Sequence, residues 1–305
     1  MKRRYENMDQ VSTKSSLADF LRWWKESSVK EKNVSWQMPV EKHPDIAFLQ
    51  NNREIPTLTW IGHATFLLQI KGMNILTDPI WTKWLSGYKR LSPAGIPIEQ
   101  LPPIDIVLIS HSHYDHLSFS TIKKLPGAPL FLVPSGLGKV FLRKGYGRVA
   151  EFEWWGTHRL GKLICTFVPA QHWTKRSALD TNTSHWGGWV IEGIDTPTIY
   201  FAGDSGYFRG FKEIGERFLL DYTLMPIGAY APEWFMGKQH VTPEEAIQSF
   251  LDTGAKKMFP MHYGAYMLAD DTPKEAVDRL LGEWKRQGID QQRLLMPKLG
   301  EVRQL

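Results

Sequence analysis

The chain has 305 residues, 42% of them hydrophobic, which is enough to bury a substantial core in one or two domains. Its 37 Lys and Arg against 32 Asp and Glu leave a formal charge of +5 with no basic run beyond the opening MKRR, so a nucleic-acid partner is not expected. A single cysteine, Cys165 in LICTFV, excludes a disulfide framework and reads as a small buried hydrophobe in a reducing compartment.

MKRR is followed by polar residues rather than an apolar run, and no window approaches the roughly 20 apolar residues of a membrane span. The expectation is a soluble, cytoplasmic protein, with peripheral membrane contact as the second reading. Residues 1–55 read as an N-terminal extension carrying one amphipathic helix. In SSLADFLRWWKE, Leu17, Phe20, Leu21 and Trp24 recur at helical spacing, and Ser16 with Asp19 forms a capping pair. The favoured reading packs this helix on the domain. The alternative lays it on a membrane, with Trp23, Trp24 and Lys25 at the interface.

Residues 56–305 read as one domain, rich in strands. LTWIGHATFLLQI and MNILTDPI flank Lys71-Gly72 as a hairpin. IDIVLIS, PLFLVPS, GRVAEFEWW, KLICTFVPA, GGWVIEG, TIYFAGD, YTLMPIG and KKMFPMH follow as strands. Helical patterns fall at SFSTIKKL, FKEIGERF, TPEEAIQSFLDTG and TPKEAVDRLLGEWKRQG, the last two opening with a Thr cap and a first-turn proline.

One arrangement repeats along these strands: an apolar run ends, and side chains able to bind metal follow at once. IDIVLIS leads into HSHYDH, which supplies His111, His113, Asp115 and His116. LICTFVPAQ leads to His172, TIYFAG to Asp204 and KKMFPM to His262. Strand ends are where a sheet gathers side chains from distant parts of a chain. Imidazole nitrogen and carboxylate oxygen suit zinc, with manganese or iron as substitutes. On an extended segment His-x-His points both rings to one side. The seven ligands therefore divide as His111, His113 and His172 on one ion and Asp115, His116 and His262 on a second, with Asp204 bridging. Such a pair of ions sits about 3.5–4 Å apart, close enough for one hydroxide to touch both.

HSHYDH resembles the HxHxDH motif of the metallo-β-lactamase-fold hydrolases. The resemblance implies an α/β fold, a four-layer αββα sandwich, with a dinuclear site along one edge of the two sheets, and it agrees with the ligand division. His113, where di-iron oxidoreductases of the superfamily carry glutamate, speaks against that redox branch. TWIGHATFLLQ, PAQHWTKR, GGWVIEG, YFAGDSGY, PIGAYAPEWFM and HVTPEEA resemble more narrowly the branch of N-acylphosphatidylethanolamine-hydrolysing phospholipase D and its bacterial relatives, over roughly residues 55–270. That branch implies a zinc-dependent phosphodiesterase acting on a phospholipid or a smaller phosphodiester. A sugar-lactone hydrolase or a nuclease of the same superfamily is the alternative, and an iron-dependent oxidoreductase the remote one.

Around the ligands the roles divide less sharply. Asp115 is read as also orienting the hydroxide. His240 opens HVTPEEA in a loop that the resemblance places at the site, where it would hold a phosphate oxygen or protonate the leaving alkoxide. His63 in WIGHAT is read as a substrate contact, against a local hydrogen bond. Asp78 in LTDPI is either a partner orienting a metal-bound histidine or a turn residue before Pro79. Trp173, Trp234 and Phe235, with Met236, would wall an apolar groove. Lys175 and Arg176 would meet a phosphate or belong to a solvated loop. His43, His158 and His185 are read as structural or surface residues.

Overall fold

The apolar runs assemble into two sheets, and the computed structural model describes residues 3–13 and 16–305 of them and their surroundings. Met1 and Lys2 of the MKRR start, and Lys14 and Ser15 before the amphipathic helix, lie outside the described residues. In chain order the elements are α1 (Leu17–Val29), α2 (Ile46–Asn51), β1 (Thr57–Gly62), β2 (Thr65–Ile70), β3 (Met73–Thr77), β4 (Trp84–Leu85), β5 (Tyr88–Lys89) and β6 (Ile104–Leu108). Next come α3 (Phe119–Ile122), β7 (Gly127–Pro134), α4 (Gly138–Arg143), β8 (Val149–Phe152), β9 (Thr157–Leu160), β10 (Leu163–Val168), β11 (Gly188–Gly193) and β12 (Ile199–Phe201). The chain closes with α5 (Gly210–Arg217), β13 (Tyr222–Pro226), α6 (Glu233–Met236), α7 (Pro243–Asp252), β14 (Lys257–Met261), α8 (Pro273–Arg286) and β15 (Val302–Gln304).

The first sheet runs β15-β1-β2-β3-β6-β7-β8 and the second β14-β13-β12-β11-β10-β9, with β4 and β5 a separate hairpin. Side chains alternate across each strand, so both faces of the first sheet are covered. Leu68, Ile75, Ile106 and Leu108 share a core with Phe167, Trp189, Ile191 and Phe201 of the second sheet. Their neighbours Leu67, Leu76, Val107 and Ile109 turn the other way, onto Leu49, Ile122 and Phe141 of α2, α3 and α4. Ala246, Ile247 and Phe250 of α7 and Leu280 and Trp284 of α8 join the larger core. The result is an αββα sandwich, and Cys165 is buried in its centre.

The Thr-Pro-x-Glu readings hold: Thr242 forms a capping box with Glu245, and the Thr272 side chain accepts from the Glu275 amide, each followed by proline in the first turn. Two expectations change. LTWIGHATFLLQI is not one strand but an antiparallel pair, β1 and β2, because Gly62 and His63 take φ of 129° and 54° and reverse the chain. The helix α1, properly capped by Ser16 and Asp19, does not pack by its apolar stripe: it buries no residue, and Leu17, Leu21 and Trp24 are 74%, 56% and 63% exposed. It docks instead through Trp23, stacked on Phe235 at 5.7 Å, and Ser27, whose hydroxyl donates to Asp270 Oδ1 at 2.7 Å. The short α2, α4, β4, β5, β9 and β15 have too little periodicity to stand out in the sequence.

Candidate metal centre

Each residue singled out at a strand end arrives at one edge of the sandwich. β6 continues through Ile109 and Ser110 into His111, β10 is followed by His172, β12 by Asp204 and β14 directly by His262. The backbone is held tightly here, with His63, Asp78 and His262 at φ of 54°, 31° and 63°. Left-handed φ costs a non-glycine residue about 1 kcal/mol or more and persists where the surroundings impose it.

The structure brings His111, His113 and His172 together as one cluster: His113 Nδ1 lies 2.9 Å from His111 Nε2 and 3.1 Å from His172 Nε2. Hydrogen bonds on the far side of the rings decide what these contacts are. His111 Nδ1–H donates to Ser110 Oγ at 2.8 Å, and Ser110 donates to Asp78 Oδ2 at 2.5 Å. His172 Nδ1–H donates to the Gln239 carbonyl at 2.9 Å. Both Nε2 atoms therefore carry lone pairs and no proton. These two lone pairs can accept from a His113 Nδ1–H or, with that nitrogen deprotonated, turn together toward one cation. Zinc–nitrogen bonds of 2.0–2.1 Å in a tetrahedron separate ligand nitrogens by about 3.3 Å, close to the spacing found.

Asp115, His116 and His262 form the second cluster, together with His63. His116 Nδ1–H donates to Asp78 Oδ2 at 2.7 Å, which turns its Nε2 toward the cluster, 3.2 Å from His262 Nε2 and 3.2 Å from Asp115 Oδ2. Between the clusters stands Asp204. Its Oδ2 is 3.2 Å from His116 Nε2, 3.1 Å from His262 Nε2, 3.9 Å from His111 Nε2 and 4.0 Å from His172 Nε2. Its Oδ1 is buried without a hydrogen-bond partner. A carboxylate with one oxygen beside both clusters and another unpaired fits a bridging ligand, and the whole donor set fits two ions.

Electrostatics agree with that fit. Burial pushes His113 down to about 3 and His172 to about 4, so those rings are neutral and able to ligate. Burial alone would depress His116 too, yet the Asp204, Asp115 and Asp78 carboxylates hold it well above its ordinary value, and His262 rises to about 9 against burial beside Asp204 and Asp115. The buried acids thus demand positive charge from their surroundings, which metal cations supply.

Asp78 proves to be an orienting partner, as it bonds His116 and both the amide and the hydroxyl of Ser110. His63 is 1% exposed and its Nε2 lies 3.0 Å from Asp115 Oδ2, so it braces a ligand from behind instead of facing substrate. A cleft of about 570 Å³ opens over the centre, lined by His113, Asp115, Asp204, His240 and His262 on its floor and by Leu85, Trp173, Met236, Leu268, Lys175 and Arg176 on its walls. His240 is buried, its Nδ1 is unpaired, and burial holds its pKa well below the ordinary value. Trp173 stands edge-on to His113 at 4.8 Å.

Trp234 and Phe235 are not among the cleft residues. Trp234 Nε1 donates to Glu26 at 3.0 Å and Phe235 stacks on Trp23, so both face α1. Arg176 is not free to meet substrate either. Its guanidinium donates to the carbonyls of Ser112 at 2.6 Å and Leu117 at 2.9 Å and stacks over Tyr114 at 4.0 Å, clamping the HSHYDH loop. Lys175 lines the cleft without such partners. His185 is buried against Tyr5 and Trp154, and the reading of His185 as a structural residue fits that place. Sequence reasoning passed over Ser110, the Gln239 carbonyl and Asn7, whose side chain accepts from the His172 amide at 2.9 Å. A small polar residue beside an HxH motif was the one signal available, for Ser110.

The sequence profile of the β-lactamase superfamily domain matches residues 73–263. The N-acyl-phosphatidylethanolamine-hydrolyzing phospholipase D of Saccharomyces cerevisiae mitochondria is 33% identical over 260 residues, covering 80% of this chain and 55% of the yeast protein. A metal-dependent hydrolase of Methanopyrus kandleri is 32% identical over 225 residues, covering 72% of this chain and 88% of its own. The chain spans 55–64% of the length of the yeast protein and four other curated relatives. Among solved structures, an isothiocyanate hydrolase from Delia radicum gut bacteria superposes with a TM-score of 0.68 at 21% identity, over 82% of this chain and 99% of that one.

Proposed function

The chain belongs to the β-lactamase superfamily, and from that premise we propose that it is a two-metal, zinc-preferring hydrolase of phosphodiesters in phospholipid-like substrates. The observation that carries the reading is Asp204 Oδ2 between two clusters of converging imidazole nitrogens, at the floor of a cleft whose walls are both apolar and cationic. Two ions held there would lower the pKa of a water and neutralise charge on the phosphoryl oxygens. Asp115, braced by His63, has an oxygen at the cleft floor to orient that water. His240 stays neutral near pH 7, so its role is to donate a hydrogen bond to a phosphoryl oxygen, a task for which its unpaired Nδ1 is placed. Lys175 would meet the phosphate, and Leu85, Met236 and Leu268 the apolar portion. The likeness to the yeast phospholipase supports a lipid phosphodiester over a lactone or nucleic acid.

The same reading brings a lipid surface to the mouth of the cleft. Among the described residues no helix is long and apolar enough to cross a membrane. Trp84, Tyr114 and Leu179 are nonetheless exposed beside lining residues, and α1, whose apolar stripe is exposed, docks through Trp23 on Phe235, the neighbour of the lining residue Met236. One substrate panel tests the function: an N-acylated phosphatidylethanolamine, a sugar lactone and DNA, each with and without chelator. Chelator-sensitive release of phosphatidate is expected. Turnover of the lactone or DNA alone would overturn the phosphodiester-lipid reading.

A further inference from the structure

The extension ahead of the domain reaches the metal centre. Asn7 is 8% exposed, and its side chain sits behind His172. Asn7 Oδ1 lies 2.9 Å from the His172 amide nitrogen and 2.9 Å from Trp186 Nε1, while Nδ2 donates to the Val11 carbonyl at 3.0 Å. The amide and the indole are obligatory donors, so the atom facing them is the carbonyl oxygen, and the orientation of this side chain is fixed by chemistry. His172 is thereby held from two sides, its backbone by Asn7 and its ring by the Gln239 carbonyl. The strap around Asn7 is itself tied down. Arg4 donates to the Thr181 carbonyl at 2.6 Å, the Tyr5 amide to Asn182 at 2.9 Å, and the Tyr5 ring stacks on His185 at 4.3 Å. Arg209 pairs with Asp9 at 2.8 Å on the far side of Asn7.

We infer that Asn7 is a positioning residue of the metal centre, and that residues 3–13 act as a strap whose docking sets the aim of His172 at the three-histidine site. Residues that orient ligands from behind change metal affinity by about 10–100-fold when lost. Asn7 does this from more than 160 positions away in sequence, so metal binding at one site is coupled to docking of the extension. The inference rests on the two-ion reading of the centre.

The test titrates chelator-stripped full-length protein with zinc and counts bound ions at each free concentration, alongside the melting temperature of the stripped protein. In Asn7→Leu, the His172 amide and the Trp186 indole lose their shared acceptor. One zinc should then bind about 10–100-fold more weakly while the other keeps its affinity. Asn7→Asp, which still offers an acceptor oxygen to both donors but sets its other oxygen against the Val11 carbonyl, should recover part of that loss. Tyr5→Ala leaves both bonds to Asn7 in place and loosens only the strap, so it should weaken the same site by a smaller factor and keeps the test decisive if Asn7→Leu does not fold. Unchanged zinc affinities in Asn7→Leu and Tyr5→Ala would overturn the inference. So would an equal weakening of both sites that follows a fall in the melting temperature of the stripped protein. Wild-type protein that holds fewer than two ions would instead fail the two-ion reading itself.

Discussion

Asp78 Oδ2 lies 2.7 Å from His116 Nδ1 and 2.5 Å from Ser110 Oγ, so one fully buried carboxylate sets the tautomers of two histidines in different clusters, His116 directly and His111 through the serine. Burial raises the pKa of Asp78, and the His116 charge and the hydrogen bonds from His116 and Ser110 oppose that rise. Asp78→Asn keeps the shape but offers an N–H where an acceptor is needed. Zinc affinity should fall by about 10–100-fold at both sites, read by competition with a chromogenic chelator. Loss at one site alone would show that the serine relay to His111 does nothing.

Asp204 bears on both clusters more heavily. Asp204→Ala removes the shared oxygen and leaves the Nε2 atoms of His116 and His262 facing each other at 3.2 Å. Zinc content should drop below one ion per chain, and hydrolysis should fall by at least on the order of a hundredfold. Chelator treatment of the wild type should reproduce the loss, and added zinc should reverse it in the wild type only. An Asp204→Ala protein with full metal content and rate would end the bridging assignment.

Lys175 and Arg176 are neighbours with opposite expected readouts. Arg176 satisfies two carbonyls of the ligand loop, and leaving those unpaired costs about 1–3 kcal/mol. Arg176→Met should lower the melting temperature by several degrees and weaken metal binding. Lys175→Ala should leave melting unchanged and reduce kcat/KM for an anionic phosphodiester by about tenfold, the worth of one charge-assisted contact. A stable Arg176→Met protein with normal metal content would disprove the clamp.

The sequence showed the candidate ligands plainly because each falls within a few residues of an apolar strand end, and position along a strand fixes which edge of the sheet a residue reaches. It could not show what holds those ligands. Ser110 is one serine among many, Gln239 acts through its carbonyl, and Asn7 meets His172 only after the chain has folded. The stripe Leu17, Leu21 and Trp24 was legible as a stripe, but periodicity marks an apolar face without saying what covers it. Trp234 and Phe235 misled for a related reason: their place beside the site in sequence does not say which way a four-residue helix turns them.

His185 gives a pH dependence outside the centre. Burial and then the nearby Arg3 push its pKa down to about 3, while in the unfolded chain it returns to the ordinary value near 6.5. Between those values the unfolded state binds the extra proton, so stability is lost as pH falls from 6.5 toward 3. At pH 5 the loss is about 2 kcal/mol relative to neutral pH. His185→Phe keeps a ring between Tyr5 and Trp154 and removes an Nδ1 that has no partner. Denaturant unfolding at pH 7 and pH 5 should show the variant gaining about 2 kcal/mol on the wild type as the pH drops. A difference that stays constant with pH would mean His185 is protonated in the fold.

If the proposed lipid phosphodiester is the substrate, the walls of the cleft would hold its acyl groups. Met236 and Leu268 line the cleft, whereas Phe235 packs on Trp23 of α1, so two adjacent residues of α6 separate chain binding from helix docking. A methylene removed from water contributes about 0.8 kcal/mol, and shortening each of these side chains to alanine withdraws contacts from several methylenes of a bound chain. The Met236→Ala, Leu268→Ala double variant should therefore lose on the order of tenfold or more in kcat/KM on a long-chain phospholipid and little on a short soluble phosphodiester. Phe235→Ala should affect the long-chain and short-chain assays alike, because it packs on α1 and is not among the cleft residues. It should instead loosen α1 and reduce co-sedimentation with lipid vesicles if the bare stripe of that helix meets the membrane. Equal losses on long and short substrates in the double variant would remove the acyl groove and leave the metal centre as a hydrolase of small phosphodiesters.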